Sequence, residues 1–162
     1  MRTALLKTIS DRLEKSTLFV CMVICGAMLL VAWAHIVWRY VLNNALSWSE
    51  EFLRFTLVWF ALLSASIIHK RRGHIGIVIF RDMMPAKVQY VIKRLLTYIE
   101  ILGTGTAAVI GFALILRVQG QTTPALRLPF AVPYAAIPLS FLLMTFYGLE
   151  HAFDEAHGGR VQ

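Results

Sequence analysis

The residues of this chain with most scope for chemistry stand where an apolar sequence has least use for them. Glu50, Glu51 and Arg54 lie at the start of the stretch SWSEEFLRFTLVWFALLSASIIHKRRGHI (residues 47–75), which then stays apolar to Ile68 and ends on the basic block His69-Lys70-Arg71-Arg72. Glu100 is the single acid in a later apolar run, and Cys21 and Cys25 lie one helical turn apart in an earlier one. Three kinds of chemistry could be built from these groups: ion pairing at a helix entrance, an ion relay through an intramembrane carboxylate, and thiol or metal chemistry. The last is set aside. The two cysteines form no C-x-x-C and have no His or Cys partner nearby in the sequence, so they read as small apolar residues, with no metal, cofactor or catalytic group implied.

The elements that must hold these residues follow from composition. Of 162 residues 58% are hydrophobic and 15% charged, against about 45–50% and about 25% in a soluble domain. The formal charge is +7, from 16 Lys and Arg against 9 Asp and Glu. No basic stripe interleaved with aromatics is present, which argues against nucleic acid as a partner. The basic residues fall between four apolar runs, at about 16–38, 50–68, 95–116 and 128–149. Each approaches or exceeds the ~20 residues that carry a helix across the ~30 Å hydrocarbon layer. An all-α membrane protein of four transmembrane helices in one membrane domain, 1–162, is expected. Ala32-Trp33-Ala34 resembles a signal-peptidase site. However, the leader carries Asp11 and Glu14, and the apolar run continues past the supposed cut to Trp38, so an uncleaved helix is expected.

Orientation follows from Lys and Arg. Arg2, Lys7, Arg12 and Lys15 precede the first run; Lys70, Arg71, Arg72, Arg81, Lys87, Lys93 and Arg94 lie between the second and third; Arg160 is in the C-terminal tail. These twelve fall on one side of the membrane, against three (Arg39, Arg117 and Arg127) on the other. The bias places both termini in the cytoplasm. In the tail 3–15, Leu5, Leu6, Ile9 and Leu13 recur at helical spacing, as in an amphipathic helix on the membrane surface or in an extension of the first span. Residues 74–85 include an apolar piece too short to span, followed by Arg81-Asp82 and Pro85. An interfacial segment between helices two and three is expected, with Pro85 opening the next helix.

Packing signals are also legible. Gly103, Ala107 and Gly111 recur at four-residue spacing in the third run, and Ala61 and Ala65 do so in the second. In lipid such small residues let helix backbones approach closely, so the third-run stripe is expected to be a helix–helix contact face, either inside this chain or against a partner. Pro138, inside the fourth run, is expected to kink it. Glu100 is either a functional acid within the span or a carboxylate near enough to the headgroups to reach water or a basic residue. It has no evident intramembrane basic partner.

The 47–54 cluster supports two accounts. In the first, Ser47 or Ser49 caps the helix, Glu50 and Glu51 sit in its favourable first turn, and Arg54 pairs with Glu50 at i,i+4 or Glu51 at i,i+3. Trp48 lies at the interface. In the second, the cluster, with Arg39, ties helices one and two together or holds a partner. The first account leaves unexplained why Arg54 sits a turn deeper than capping needs.

Arg39, then Trp48-Ser49-Glu50-Glu51-Phe52-Leu53-Arg54, Trp59, the His74-Ile75 pair and the proline-containing entrance to helix four together resemble the small membrane (Q-type) subunit of tripartite ATP-independent periplasmic (TRAP) transporters. The resemblance covers about residues 16–150. It departs at Val78, where many relatives carry an aspartate; Asp82 follows four residues later. The resemblance implies a non-catalytic scaffold in the bacterial inner membrane, not an enzyme. Its partners would be a large permease subunit carrying the substrate and sodium sites, a periplasmic substrate-binding protein delivering an organic acid, and membrane lipid. Arg39, Trp48, Glu50, Glu51, Arg54, Trp59, His74 and Glu100 are then candidates for assembly contacts. The alternative is a self-sufficient small four-helix transporter working as a homodimer, which needs an acid deep in its first helix. The 16–38 run has none.

Overall fold

The computed structural model describes residues 2–44, 46–71 and 86–158. They form five helices: α1 (Arg2–Val41), α2 (Ser47–Lys70), α3 (Ala86–Arg117), the single turn α4 (Ala131–Tyr134) and α5 (Ala136–Gly158). Among the described residues four stretches are long and apolar enough to cross a membrane: Leu6–Val41, Ser47–Lys70, Arg94–Arg117 and Ala131–Phe153. Among the described residues the only β pairing is an isolated bridge between Thr122 and Pro129. The expected interfacial segment 74–85, with His74, Val78, Asp82 and Pro85, lies outside the described residues.

The helices run further than the apolar runs suggest. The tail 3–15 is no separate element, because α1 continues through it without a break. At 1.5 Å per residue its 40 residues reach ~60 Å, about twice the hydrocarbon thickness. One end of α1 therefore projects from the bilayer, and its charged residues identify which. This end also holds the C-termini of α2 and α5 and is called the terminal end below; the opposite one is the loop end.

α2 lies between α1 and α5, and α3 packs chiefly on α5. A small apolar core of Cys21, Leu63 and Ile67 joins α1 to α2 and is closed by Leu18, Ile24, Trp59, Phe60 and Leu143. Large apolar side chains elsewhere face outward, among them Leu30, Trp33, Leu102, Val109 and Ile110. That is the arrangement expected where the solvent is lipid and helix contacts depend on close fit.

The α3–α5 seam is built from that fit. A Cβ on Gly111 would lie 2.8 Å from Ile137 Cγ2 and 3.1 Å from both Pro138 Cδ and Pro138 N. A Cβ on Gly148 would lie 3.0 Å from Ile101 Cγ1. Between them Ala108 is buried, and Thr145 Oγ1 donates to Thr104 Oγ1 at 3.0 Å. The α3 face in contact is thus Ile101, Thr104, Ala108 and Gly111. This departs from the Gly103–Ala107–Gly111 stripe, for Gly103 has nothing within 4 Å of a would-be Cβ. An i,i+4 row drifts around a helix of 3.6 residues per turn, whereas alternating steps of three and four stay on one face. On α2, Ala61 is exposed and Ala65 half-buried.

Pro138 has the local effect its ring dictates. It cannot donate to the Tyr134 carbonyl, and the helix is interrupted between Tyr134 and Ala136, four to two residues upstream.

Candidate functional site

The polar side chains gather in two layers, one at each end of the bundle. At the loop end, Ser49 is fully buried. Its hydroxyl donates to the Leu46 carbonyl at 2.6 Å, so its oxygen accepts from His35 Nδ1, also at 2.6 Å. That assigns the ring proton to Nδ1 and turns Nε2 toward Glu50 Oε1, 3.9 Å away. Arg39 Nη1 approaches the same oxygen at 3.7 Å. A short chain of groups therefore ties the last turns of α1 to the first turn of α2.

Glu51 points elsewhere. Its Oε2 accepts from the backbone N–H groups of Ala125 (2.9 Å) and Leu126 (2.8 Å), more than seventy residues away in sequence. The connection between α3 and α4 is thereby pinned to α2. Phe55 adds an edge contact to Phe130, ring centroids 6.4 Å apart.

These contacts replace the expected internal ion pair. Among the described residues neither Glu50 nor Glu51 is bridged to Arg54, which is exposed. Side-chain capping is also absent: the N-cap is Leu46, with no side-chain hydrogen bond. Ser49 has rotated to bond back to Leu46, a local competition typical of serine. Glu50 does lie in the first helical turn. Trp48 is exposed and meets Phe52 edge-on, centroids 6.5 Å apart; Trp59 packs on the α1–α2 core.

At the terminal end, the basic block of α2 meets the acids of the α1 extension. Lys70 Nζ lies 2.7 Å from Asp11 Oδ1 and 2.9 Å from Glu14 Oε2, while Arg71 Nε donates to Glu14 Oε1 at 2.7 Å. Lys70 also stands 5.7 Å above the Tyr147 ring centroid, and its carbonyl meets His151 Nε2 at 3.1 Å. Ser10 donates to Glu150. Glu100 has a basic partner after all: His69 Nδ1, from α2, lies 3.1 Å from its Oε1. His69 is buried and Glu100 one-third exposed. This pair and the Lys70 cluster join α1, α2, α3 and α5 within one layer.

His35 and His69 were missed from the sequence, although each carries a signal. A histidine within or closing an apolar run must find a polar partner, and Ser49 and Glu100 were the polar groups on hand.

Among the described residues no group of three or more His, Cys, Asp or Glu is arranged to hold a metal ion. The polar groups at both ends instead connect helices. The fold and these layers define a multi-pass helical membrane protein in which the paired polar side chains link neighbouring helices. Residues 28–158 match the family model of the DctQ component of tripartite ATP-independent periplasmic transporters, and the chain belongs to that family. It is a transporter component, not an enzyme.

Relatives agree. The sialic acid TRAP transporter small permease protein SiaQ of Vibrio cholerae is 25% identical over 154 residues, 95% of this chain and 87% of that protein. The C4-dicarboxylate small permease protein DctQ of the same organism is 24% identical, over 80% of this chain and 66% of its own length. The isethionate TRAP transporter permease protein DctMQ of Oleidesulfovibrio alaskensis is 35% identical over 101 residues, 60% of this chain but 16% of that protein.

Proposed function

We propose that this chain is the small, non-catalytic permease subunit of a TRAP secondary transporter in the bacterial inner membrane. It braces a large permease subunit and helps dock a periplasmic substrate-binding protein for sodium-coupled uptake of an organic acid. The observation that carries the reading is Arg54. It lies seven residues into α2, ~10 Å along the helix axis, and is exposed without a carboxylate partner among the described residues. On the same helix Leu57, Val58 and Ile68 are exposed. An arginine costs ~2.5–3.5 kcal/mol at the hydrocarbon centre on insertion scales, and a part of that nearer the interface, where Arg54 lies. An acceptor supplied from outside the chain removes that cost, and a membrane partner packed on α2 is such a source.

Two further points support the assignment. In the isethionate relative the matched stretch is a small part of a longer permease polypeptide, consistent with a role beside a larger permease body. The names of the relatives refer to isethionate, C4-dicarboxylates and sialic acid, all organic acids. The twelve-to-three distribution of Lys and Arg supports both termini in the cytoplasm, which puts the loop end in the periplasm.

Arg54→Ala is expected to weaken co-purification with the large subunit and reduce uptake, because a partner acceptor loses its cation. Wild-type co-purification and uptake in that variant would remove Arg54 from the interface.

A further inference from the structure

The connection between α3 and α4 is held more firmly than a link between helices requires. Its two sides close on each other: Phe130 N–H donates to Gln121 O at 3.0 Å and Thr123 N–H to Leu128 O at 2.8 Å. The Thr123 side chain is buried, and its oxygen accepts from Leu128 N–H at 3.1 Å. Arg127 N–H donates to Thr123 O at 3.1 Å. Glu51 then clamps the tip from α2 through Ala125 and Leu126. Arg127 itself adopts φ +52°, a left-handed conformation uncommon outside glycine, asparagine and aspartate. Its side chain is exposed and has no ion pair among the described residues, as is also true of Arg117.

Charge at this end is one-sided. Arg39, Arg54, Arg117 and Arg127 face two carboxylates, and both are engaged, Glu50 by Arg39 and Glu51 by the loop backbone. We propose that the loop 121–130, fixed by the Glu51 carboxylate, is a preformed docking element that offers Arg127 to an acidic surface on the soluble substrate-binding protein. The proposal rests on the reading of this chain as a TRAP small permease subunit with its loop end in the periplasm. A fixed backbone favours a protein over lipid as the occupant. An arginine seeking headgroup phosphates can reach them from many conformations of a mobile loop, whereas docking on a shaped surface gains when ordering costs are met in advance. Exposed charges at such a surface act mainly on encounter with the partner. Glu51 is accordingly a positioning residue and Arg127 the contacting one.

The test uses the complete transporter, this chain with its large permease subunit in proteoliposomes, and measures uptake against the concentration of added binding protein. Arg127→Glu is expected to raise the half-saturating concentration about tenfold, equivalent to ~1.4 kcal/mol, with the maximal rate near wild type. Glu51→Ala should shift it in the same direction while Arg127 is retained, and both variants should still co-purify with the large subunit. A charge reversal on the binding protein that restores half-saturation with Arg127→Glu would locate the acidic surface. Unchanged half-saturation in Arg127→Glu, with uptake intact, overturns the proposal. So does a shift that follows the anionic-lipid content of the vesicles and not the binding protein, which would assign Arg127 to headgroups. Failure of the wild-type chain to associate with any large subunit would overturn the functional reading beneath it, and is distinguished by appearing without any substitution.

Discussion

Gly111→Ala is the substitution for which the structure makes the sharpest demand. The added Cβ would sit 2.8 Å from Ile137 Cγ2 and 3.1 Å from Pro138 N and Cδ, against about 3.5–4.0 Å for carbon atoms at optimal separation. Ile137 could rotate, but Pro138 N is backbone and its ring is rigid, so α3 and α5 must separate. Overpacking of this kind costs about 1–3 kcal/mol. Alanine is also a better helix former than glycine, by ~0.8–1 kcal/mol, which offsets part of that cost. Gly103→Ala isolates the packing effect, since it gains the same propensity on the same helix and meets nothing within 4 Å. The two variants should differ by about 1–3 kcal/mol, roughly 5- to 150-fold in the unfolding equilibrium. Reversible unfolding in mixed micelles, followed by circular dichroism, would measure it. Equal stability of the two variants would refute the claim that Gly111 sets the α3–α5 distance.

Three further outcomes are expected. Ser49→Ala leaves His35 Nδ1 without its 2.6 Å partner and should cost ~1–3 kcal/mol; His35→Ala in that background should add less than it does alone, and simple additivity would deny the link. Glu14→Ala should lower the unfolding midpoint more than Asp11→Ala, because Glu14 serves both Lys70 and Arg71 and its side chain is 18% exposed against 52% for Asp11; the reverse order would contradict the clasp. Glu100→Leu, which removes the acceptor facing His69, should destabilise the protein more than Glu100→Gln, which keeps an oxygen there; equal effects in the same unfolding assay would show the pair to be incidental.

The spans were legible because crossing a bilayer demands length and hydrophobicity, and both can be read residue by residue. What joins the spans was less so. At i,i+3 and i,i+4, Glu51 and Glu50 have Arg54 within local reach, yet two loop N–H groups took Glu51, and Arg39 took Glu50. Backbone groups of the 118–130 connection and side chains of α1 become neighbours only once the bundle forms. Lys70 and Arg71 stood out as topology markers, but their partners Asp11 and Glu14 lie almost sixty residues away, so the length of α1 was hidden as well. Glu100 looked solitary because its partner His69 was read as part of the basic block. Within this chain the small-residue stripe meets α5 at Gly111 and faces open space at Gly103, since four-residue spacing alone does not say which face a neighbouring helix will cover.

The account makes this chain an assembly subunit, and flux measured with and without a large permease subunit tests that most directly. Purified and reconstituted alone in sodium-loaded or sodium-free vesicles, it should transport no organic acid; reconstituted with the large permease subunit, it should form a stable complex that takes up substrate when the binding protein is added. Substrate flux by the chain alone would contradict the account and support a self-sufficient homodimeric transporter.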